Sequence, residues 1–509
     1  MKQLSRAYLA ETASSEALLS LPEKVLQFGT GVLLRGLPDY LIDKANRQGI
    51  FNGRIVVVKS TDSGDLDAFA NQDNLYTLCI QGIEGGVEVS ENIICAAISR
   101  TLTASTQWQA VLDCARNPEL QIVLSNTTEV GIQLVPESIR QMPPASFPAK
   151  LLAFLEARFR AFQGDPDKGM VVVPTELIPD NGTELKSILL ELAHLNELEF
   201  DFMEWLDNSV ICCNSLVDRI VPGKPDEATA EALAAALGYT DDLLITTEPY
   251  CLWAIEGDEQ VRNVLSFQQA DARTIIAPNI DRFRELKLRL LNGTHTLSCG
   301  LAFLCQYDTV RAAMEDSLMA NFIEHMMLEE LAPAIPYQLS EGEAREFGQQ
   351  VLDRFRNPFA AHRWIQITVQ YTSKMRMRNV PTLLEHYERF GIVPAYFALG
   401  FAAYLRFMKA EEQVDGKFFG KLNGQSYPIQ DGQAAFFYEQ WQQLSARELA
   451  PAILKNETLW GTDLTKLPGF SEQVTSFLIE LESKPARAVL AMLQLTAPSH
   501  SSTTTLHES

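Results

Sequence analysis

Val25-Leu26-Gln27-Phe28-Gly29-Thr30-Gly31-Val32-Leu33-Leu34-Arg35 is a mostly apolar run broken by two glycines one residue apart. A short apolar run of this kind reads as a strand buried on both faces of a parallel sheet. A glycine directly after such a strand permits the tight turn into a helix, and a second lets the backbone approach a pyrophosphate. The helix N-terminus then supplies N–H donors to that anion. The third glycine of the dinucleotide fingerprint is replaced by Leu34, so the motif draws its weight from standing at the head of an alternating pattern. On this reading Phe28, Gly29 and Gly31 hold a dinucleotide cofactor. Arg35 either reaches a phosphate or substrate carboxylate or remains a solvated helix residue.

Outward from this stretch, short β-branched runs alternate with helical spacing up to about residue 270. Arg54 to Val58, Gln121 to Ser125, Gly169 to Val173, Val210 to Cys213 and Leu243 to Thr247 read as further strands. Strands alternating with helices imply right-handed crossovers and a doubly wound α/β sheet of Rossmann type. Past residue 280 the rhythm stops, and Thr309 to Leu331, Ala395 to Lys409 and Ser471 to Leu493 space their apolar residues as helices do. The chain therefore divides near Ala277-Pro278, giving a dinucleotide-binding domain over 1–277 and a mostly α-helical substrate domain over 278–496. A Ser/Thr-rich, frayed tail over 497–509 follows.

Composition excludes several classes. With 509 residues, 46% hydrophobic and 21% charged, the chain suits a globular protein of two large domains. A formal charge of −23 argues against nucleic acid, whose phosphates need clustered Lys and Arg. No run approaches the roughly 18 apolar residues of a membrane span, and the N-terminus lacks a signal-peptide core, so a cytoplasmic location is expected. The eight cysteines show no CxxC spacing, and apart from His295 the histidines His194, His325, His362, His386, His500 and His507 stand singly. A metal site is therefore not expected.

Three further segments carry candidate chemistry. The second strand ends at Lys59-Ser60-Thr61-Asp62, where Asp62 suits the ribose hydroxyls of NAD and Lys59 equally tolerates the extra phosphate of NADP. Asn126 and Thr127, after the strand ending at Ser125, either contact the nicotinamide half of the cofactor or cap the next helix. The third is Lys287-Leu288-Arg289-Leu290-Leu291-Asn292-Gly293-Thr294-His295. On a regular helix Lys287, Asn292 and His295 share an arc of roughly 140°. Oxidising a secondary alcohol without a metal needs a base, and a lysine whose charged form is disfavoured by desolvation can serve. An amide can stabilise the developing alkoxide and an imidazole can orient the hydroxyl. Spacing alone favours the plainer reading, a helix that ends at an Asn292-Gly293 cap, with His295 incidental.

Lys287, Asn292 and His295 reproduce the KxxxxNxxH pattern of the mannitol dehydrogenase family, the polyol-specific long-chain dehydrogenases, which this chain resembles. Other blocks follow in the family's order: Phe28-Gly29-Thr30-Gly31 with Arg35, Thr128-Glu129-Val130-Gly131, Pro179-Asp180-Asn181-Gly182, Val217-Asp218-Arg219-Ile220 with Pro222, Arg354-Phe355-Arg356-Asn357-Pro358 and Ser373-Lys374. Together they span residues 25 to 380. The resemblance implies NAD as cofactor, Lys287 as acid/base, Asn292 with Asn181 as the oxyanion-stabilising pair, and His295 as a substrate-positioning residue. Thr175 stands where relatives often carry Cys, and the residues before Asn181 depart from the SCDN form of mannitol enzymes.

Within the family, Gln27-Phe28-Gly29, Leu124-Ser125-Asn126-Thr127-Thr128-Glu129, Glu176-Leu177-Ile178 and Leu216 to Val221 resemble a branch that acts on sugar acids. A carboxylated substrate of so acidic a protein needs a local cation. Lys374 is the leading candidate, with Arg376 and Arg378 next; a basic stretch is also commonly a solvated face. The alternatives are a second sugar acid, an uncharged polyol such as mannitol, and a dinucleotide sensor without turnover. Oligomeric state is not legible.

Overall fold

The computed structural model describes residues 1–11, 16–60, 66–127, 131–359 and 362–496. Asp62, Thr128, Glu129, Val130 and the tail over 497–509 lie outside the described residues. Two compact units emerge, Met1–Asp281 and Arg282–Ser509.

The first unit is built on six parallel strands: β1 (Glu23–Phe28), β2 (Arg54–Lys59), β3 (Ile98–Thr103), β4 (Ile122–Ser125), β5 (Val171–Pro174) and β6 (Ile211–Cys212). Their order across the sheet is β3-β2-β1-β4-β5-β6, the doubly wound arrangement. Successive residues of the apolar strands divide between two cores. Leu26, Phe28, Val56, Val58, Val123 and Val172 face one, and Val25, Ile55, Val57, Ile122, Leu124 and Val173 face the other. Burial on both faces is why these strands read as unbroken apolar runs.

The sequence reading missed β3, whose Ile-Ser-Arg-Thr-Leu-Thr is too polar to look buried. It also missed the long hairpin Tyr76–Glu84 and Val87–Cys95, and a small sheet of Ser215–Asp218, Leu252–Glu256 and Thr274–Ala277. The strand expected at Leu243 to Thr247 forms as Ile245–Thr247, but it pairs with Tyr76–Glu84 and not with the doubly wound sheet.

The second unit is mostly helical, with one three-stranded antiparallel sheet over Glu412–Val414, Lys417–Leu422 and Gln425–Ile429 that the helical reading did not foresee. The helix Ala395–Phe407 is buried nearly throughout and packs on Phe470–Ser483 and Thr294–Leu304. Its crossing with Thr294–Leu304 is tight, because a Cβ on Gly400 would lie 2.8 Å from the Leu297 carbonyl oxygen. The helix expected over Ser471 to Leu493 breaks between Ser483 and Ala486. Pro485 there has no N–H to continue the ladder. The expected Thr309 to Leu331 helix also divides, into Val310–Glu315, Ser317–His325 and a π-helical turn, Met326–Leu331. Among the described residues no helix is long and apolar enough to cross a membrane.

Candidate active site

A cavity of about 450 Å³ opens at the carboxyl ends of β1, β2 and β4, lined by Phe28, Gly29, Gly31, Lys59, Asn126 and Thr127 among others. Here β1 is flanked by β2 on one side and β4 on the other, so the sheet order reverses at this point, where doubly wound sheets bind ligands. Gly29 has φ +129°, and a Cβ on it would meet the Leu34 side chain at 2.9 Å and the Asn126 carbonyl oxygen at 3.0 Å. Leu34, at the place of the missing third glycine, thus supports the turn from below. Gln27 also supports it, donating to the Gly29 carbonyl and to Asp39, whose carboxyl is pushed up to about 8 by complete burial.

The cavity fits a dinucleotide on two observations. A Cβ on Gly31 would meet nothing within 4 Å, so the backbone is open to a ligand there. The Ser60 hydroxyl, also on the lining, is buried and has no hydrogen-bond partner among the described residues. Gly29→Ala should destabilise the turn by about 1–3 kcal/mol, since only glycine tolerates that φ. NADH affinity, followed by fluorescence titration, should fall at least about tenfold, because the loop would have to move. Unchanged affinity would detach this turn from cofactor binding.

Asn126 and Thr127 stand at the cavity, each held by β5. Asn126 Nδ2 donates to the Thr175 carbonyl and hydroxyl, at 3.1 and 3.0 Å. The Thr127 amide and hydroxyl both donate to Glu176 Oε1, while Ser125 Oγ donates to Glu176 Oε2. Buried Glu176 therefore ties β4 to β5 below the cavity, a positioning role that no local spacing revealed.

Two expectations are corrected. Arg35 does not reach the cavity: its buried guanidinium donates to the Leu243 carbonyl at 2.6 Å and lies over the Tyr76 ring. It is a structural tie to Leu243 and to Tyr76 of the hairpin. Asn181 is not available as an oxyanion donor. Its Nδ2 lies 3.2, 3.0 and 3.1 Å from the carbonyls of Pro174, Glu176 and Ser215, and its Oδ1 accepts from Ser215 N. Its neighbour Gly182 packs so closely that a Cβ would sit 2.3 Å from the Cys213 carbonyl carbon. The Asn-Gly pair is thus a joint between a helix start and a strand end. Arg219 of the Val-Asp-Arg-Ile block is likewise structural, donating to the carbonyls of Gly36 and Glu248.

In the second unit, the chain over Lys287–Gly293 is a π-helix that runs without a break into the α-helix Thr294–Leu304. Gly293 keeps helical angles, so the reading of Asn292-Gly293 as a helix cap is set aside. The π turn also changes the geometry expected of a regular helix. Five residues are roughly 140° apart around an α-helix. A π-helix bonds i→i+5 with more residues per turn, so residues five apart lie nearer one face than on an α-helix. Lys287 and Asn292 share this wide turn, and Asn292 and His295 are i,i+3 neighbours.

Such a turn needs outside support. A second π-helix, Met375–Asn379, supplies it. Asn379 Nδ2 donates to the Gly293 carbonyl at 3.0 Å, and Arg378 Nη1 donates to Thr296 Oγ1 at 3.1 Å. In return Arg289 donates to the carbonyls of Met377 and Arg378, at 2.6 and 2.9 Å. None of Arg289, Asn379 or this cross-bracing was visible in the sequence.

His295 is buried, lies flat on Phe355 at 4.1 Å, and has His362 edge-on at 5.1 Å. Its Nε2 is buried and has no partner among the described residues. Desolvation and the neighbouring His362, Arg354, Arg378 and Lys374 hold its pKa well below the ordinary histidine value, so the ring is neutral. Lys374 donates to the Ile367 carbonyl at 3.1 Å, and burial with Arg378 nearby lowers its pKa. Arg376 is exposed and donates to the Thr458 carbonyl, apart from this cluster. Among the described residues no group of three His, Cys, Asp or Glu is placed to hold a metal.

The chain matches the family model of the mannitol dehydrogenase Rossmann domain over residues 23–269 and that of the mannitol dehydrogenase C-terminal domain over residues 279–482. It belongs to the mannitol dehydrogenase family. Among curated relatives it is 36% identical to an altronate oxidoreductase of Halalkalibacterium halodurans, over 92% of this chain and 93% of that one. It is 37% identical to an altronate oxidoreductase of Bacillus subtilis, over 90% and 92%. Its fold is similar to that of a Pseudomonas fluorescens mannitol 2-dehydrogenase solved with NAD and D-mannitol (TM-score 0.65, 23% identity, 97% of this chain and 100% of that one). A D-sorbitol dehydrogenase is similar in fold too (TM-score 0.75, 18% identity, 96% and 100%).

Proposed function

We propose that the chain is an NAD-dependent oxidoreductase interconverting D-altronate and D-tagaturonate, a step of hexuronate breakdown. The observation that carries this reading is the identity of 36–37% with altronate oxidoreductases over at least nine tenths of both chains. The first unit is the cofactor domain and the second the substrate domain. NAD, held at Gly29, Gly31, Asn126 and Thr127, supplies the hydride acceptor, or as NADH the donor.

The chain's own residues handle the proton and the charge. Lys287 Nζ takes the hydroxyl proton in oxidation and returns it in reduction. The Asn292 amide, on the same π turn, donates to the oxygen as negative charge develops there. Neutral His295 offers a hydrogen bond to the substrate without adding charge. Lys374 and Arg378 supply the positive charge for the substrate's carboxylate. Fructuronate reduction and mannitol-type polyol oxidation use the same chemistry and are the alternatives within the family.

The test is NADH oxidation with tagaturonate, fructuronate and fructose side by side, after prolonged EDTA treatment. Tagaturonate should give the highest kcat/KM, with activity untouched by the chelator. Preference for fructuronate or fructose would move the substrate assignment. Activity lost to EDTA and restored by zinc would overturn the lysine mechanism.

A further inference from the structure

His362 is the one histidine near His295 that its sequence context did not single out. The segment carrying it is pinned: the Val310 amide donates to the His362 carbonyl, the Trp364 amide to the Asp308 carbonyl, and Thr309 bridges Arg363. The ring is half-buried, stands edge-on to His295 at an interplanar angle of 79°, and makes no side-chain hydrogen bond among the described residues. Donors are in surplus around it. Among the described residues Arg378 Nε is a buried donor without a partner, His295 Nε2 is buried without one, and Lys374 Nζ donates to the Ile367 carbonyl. Neither Lys374 nor Arg378 forms an ion pair among the described residues, and the Asp431 carboxylate bears on Lys374 without pairing with it. The charged groups bearing on His295 are Arg354, Arg378 and Lys374, and Lys374 also bears on His362.

A buried donor without an acceptor and partly buried cations without an ion pair are unfavourable, and a ligand that brings negative oxygens relieves both. We propose that His362 is a specificity-determining residue which, with Lys374 and Arg378, seats the carboxylate of the substrate. This rests on the reading of the chain as a sugar-acid oxidoreductase. The two cations supply charge, and the imidazole N–H supplies a directed hydrogen bond that distinguishes an acid terminus from a hydroxymethyl one. A hydroxymethyl group leaves the surplus charge uncompensated.

The test is calorimetric binding to the NAD-saturated enzyme of D-altronate, D-mannonate and D-gluconate, each beside the polyol in which the carboxylate is reduced to a hydroxymethyl. Wild type should bind its preferred acid at least about tenfold tighter than the matching polyol. H362L should erase most of that preference by weakening the acid alone. H362Q, which keeps an N–H donor in a similar volume, should restore it to within about threefold. H362E places a carboxylate beside the cations and should reverse the preference, which keeps the proposal testable if the leucine variant does not fold. Equal weakening of acid and polyol in H362L, failure of H362E to lower the preference, or a wild type that favours no acid over its polyol would overturn the seat. A wild type that favours mannonate or gluconate over altronate would overturn the altronate reading alone, with the seat then judged on that acid.

Discussion

Replacing Lys287 with alanine should lower turnover by about 100- to 10,000-fold in both directions, the usual range for a positioned acid or base. NADH should still bind, because the cavity at β1, β2 and β4 is built without this residue. The π turn that carries both Lys287 and Asn292 is the geometric reason for the assignment. The pH profile of kcat/KM should lose one ionisation in the variant. That ionisation is not His295, whose burial keeps it neutral down to pH values below the ordinary histidine range. The sign follows directly: a lowered histidine pKa means the neutral form prevails at higher pH and protonates only in acid. A variant retaining more than about a tenth of wild-type turnover, an effect under about 1.4 kcal/mol, would remove Lys287 from the proton path.

Lys374→Met should separate charged from uncharged substrates. Losing a cation that pairs with a partly buried carboxylate costs roughly 2–5 kcal/mol of transition-state binding. kcat/KM for tagaturonate should therefore fall by about 30-fold or more. The loss on residual fructose activity should be far smaller, since fructose presents no carboxylate to leave unpaired. Lys374 stands beside His295 and Arg378 and has no ion pair of its own among the described residues, which is the arrangement expected of a charge reserved for a ligand. Equal losses on both substrates would make Lys374 a general support of the histidine and shift the carboxylate to Arg378.

The sequence by itself determined the six-stranded doubly wound sheet's central strands, the change to helices after it, and the family. Val25 to Phe28, Arg54 to Val58 and Ile122 to Ser125 are apolar on both faces because both faces are covered, so their burial is written directly into local composition. The glycine turn at Gly29 was equally legible, since its backbone angle admits no other residue without strain. Ile98–Thr103 is largely polar and Val87–Cys95 largely exposed, so both carry a weaker pattern and were missed.

Only the tertiary structure decided which polar side chains are committed and which are held ready. Arg35 and Asn181 sit in family motifs, yet Leu243, Pro174, Glu176 and Ser215 consume their hydrogen bonds. The π turn that carries Lys287 and Asn292 is braced by Asn379 and Arg378, more than eighty residues onward, which donate to the Gly293 carbonyl and to Thr296 Oγ1. His362 reads as a solitary histidine until the fold lays it against His295. Periodicity records how much of an element is buried, which is a local property. Hydrogen-bond partners are chosen by distant segments, and no spacing within one segment specifies them.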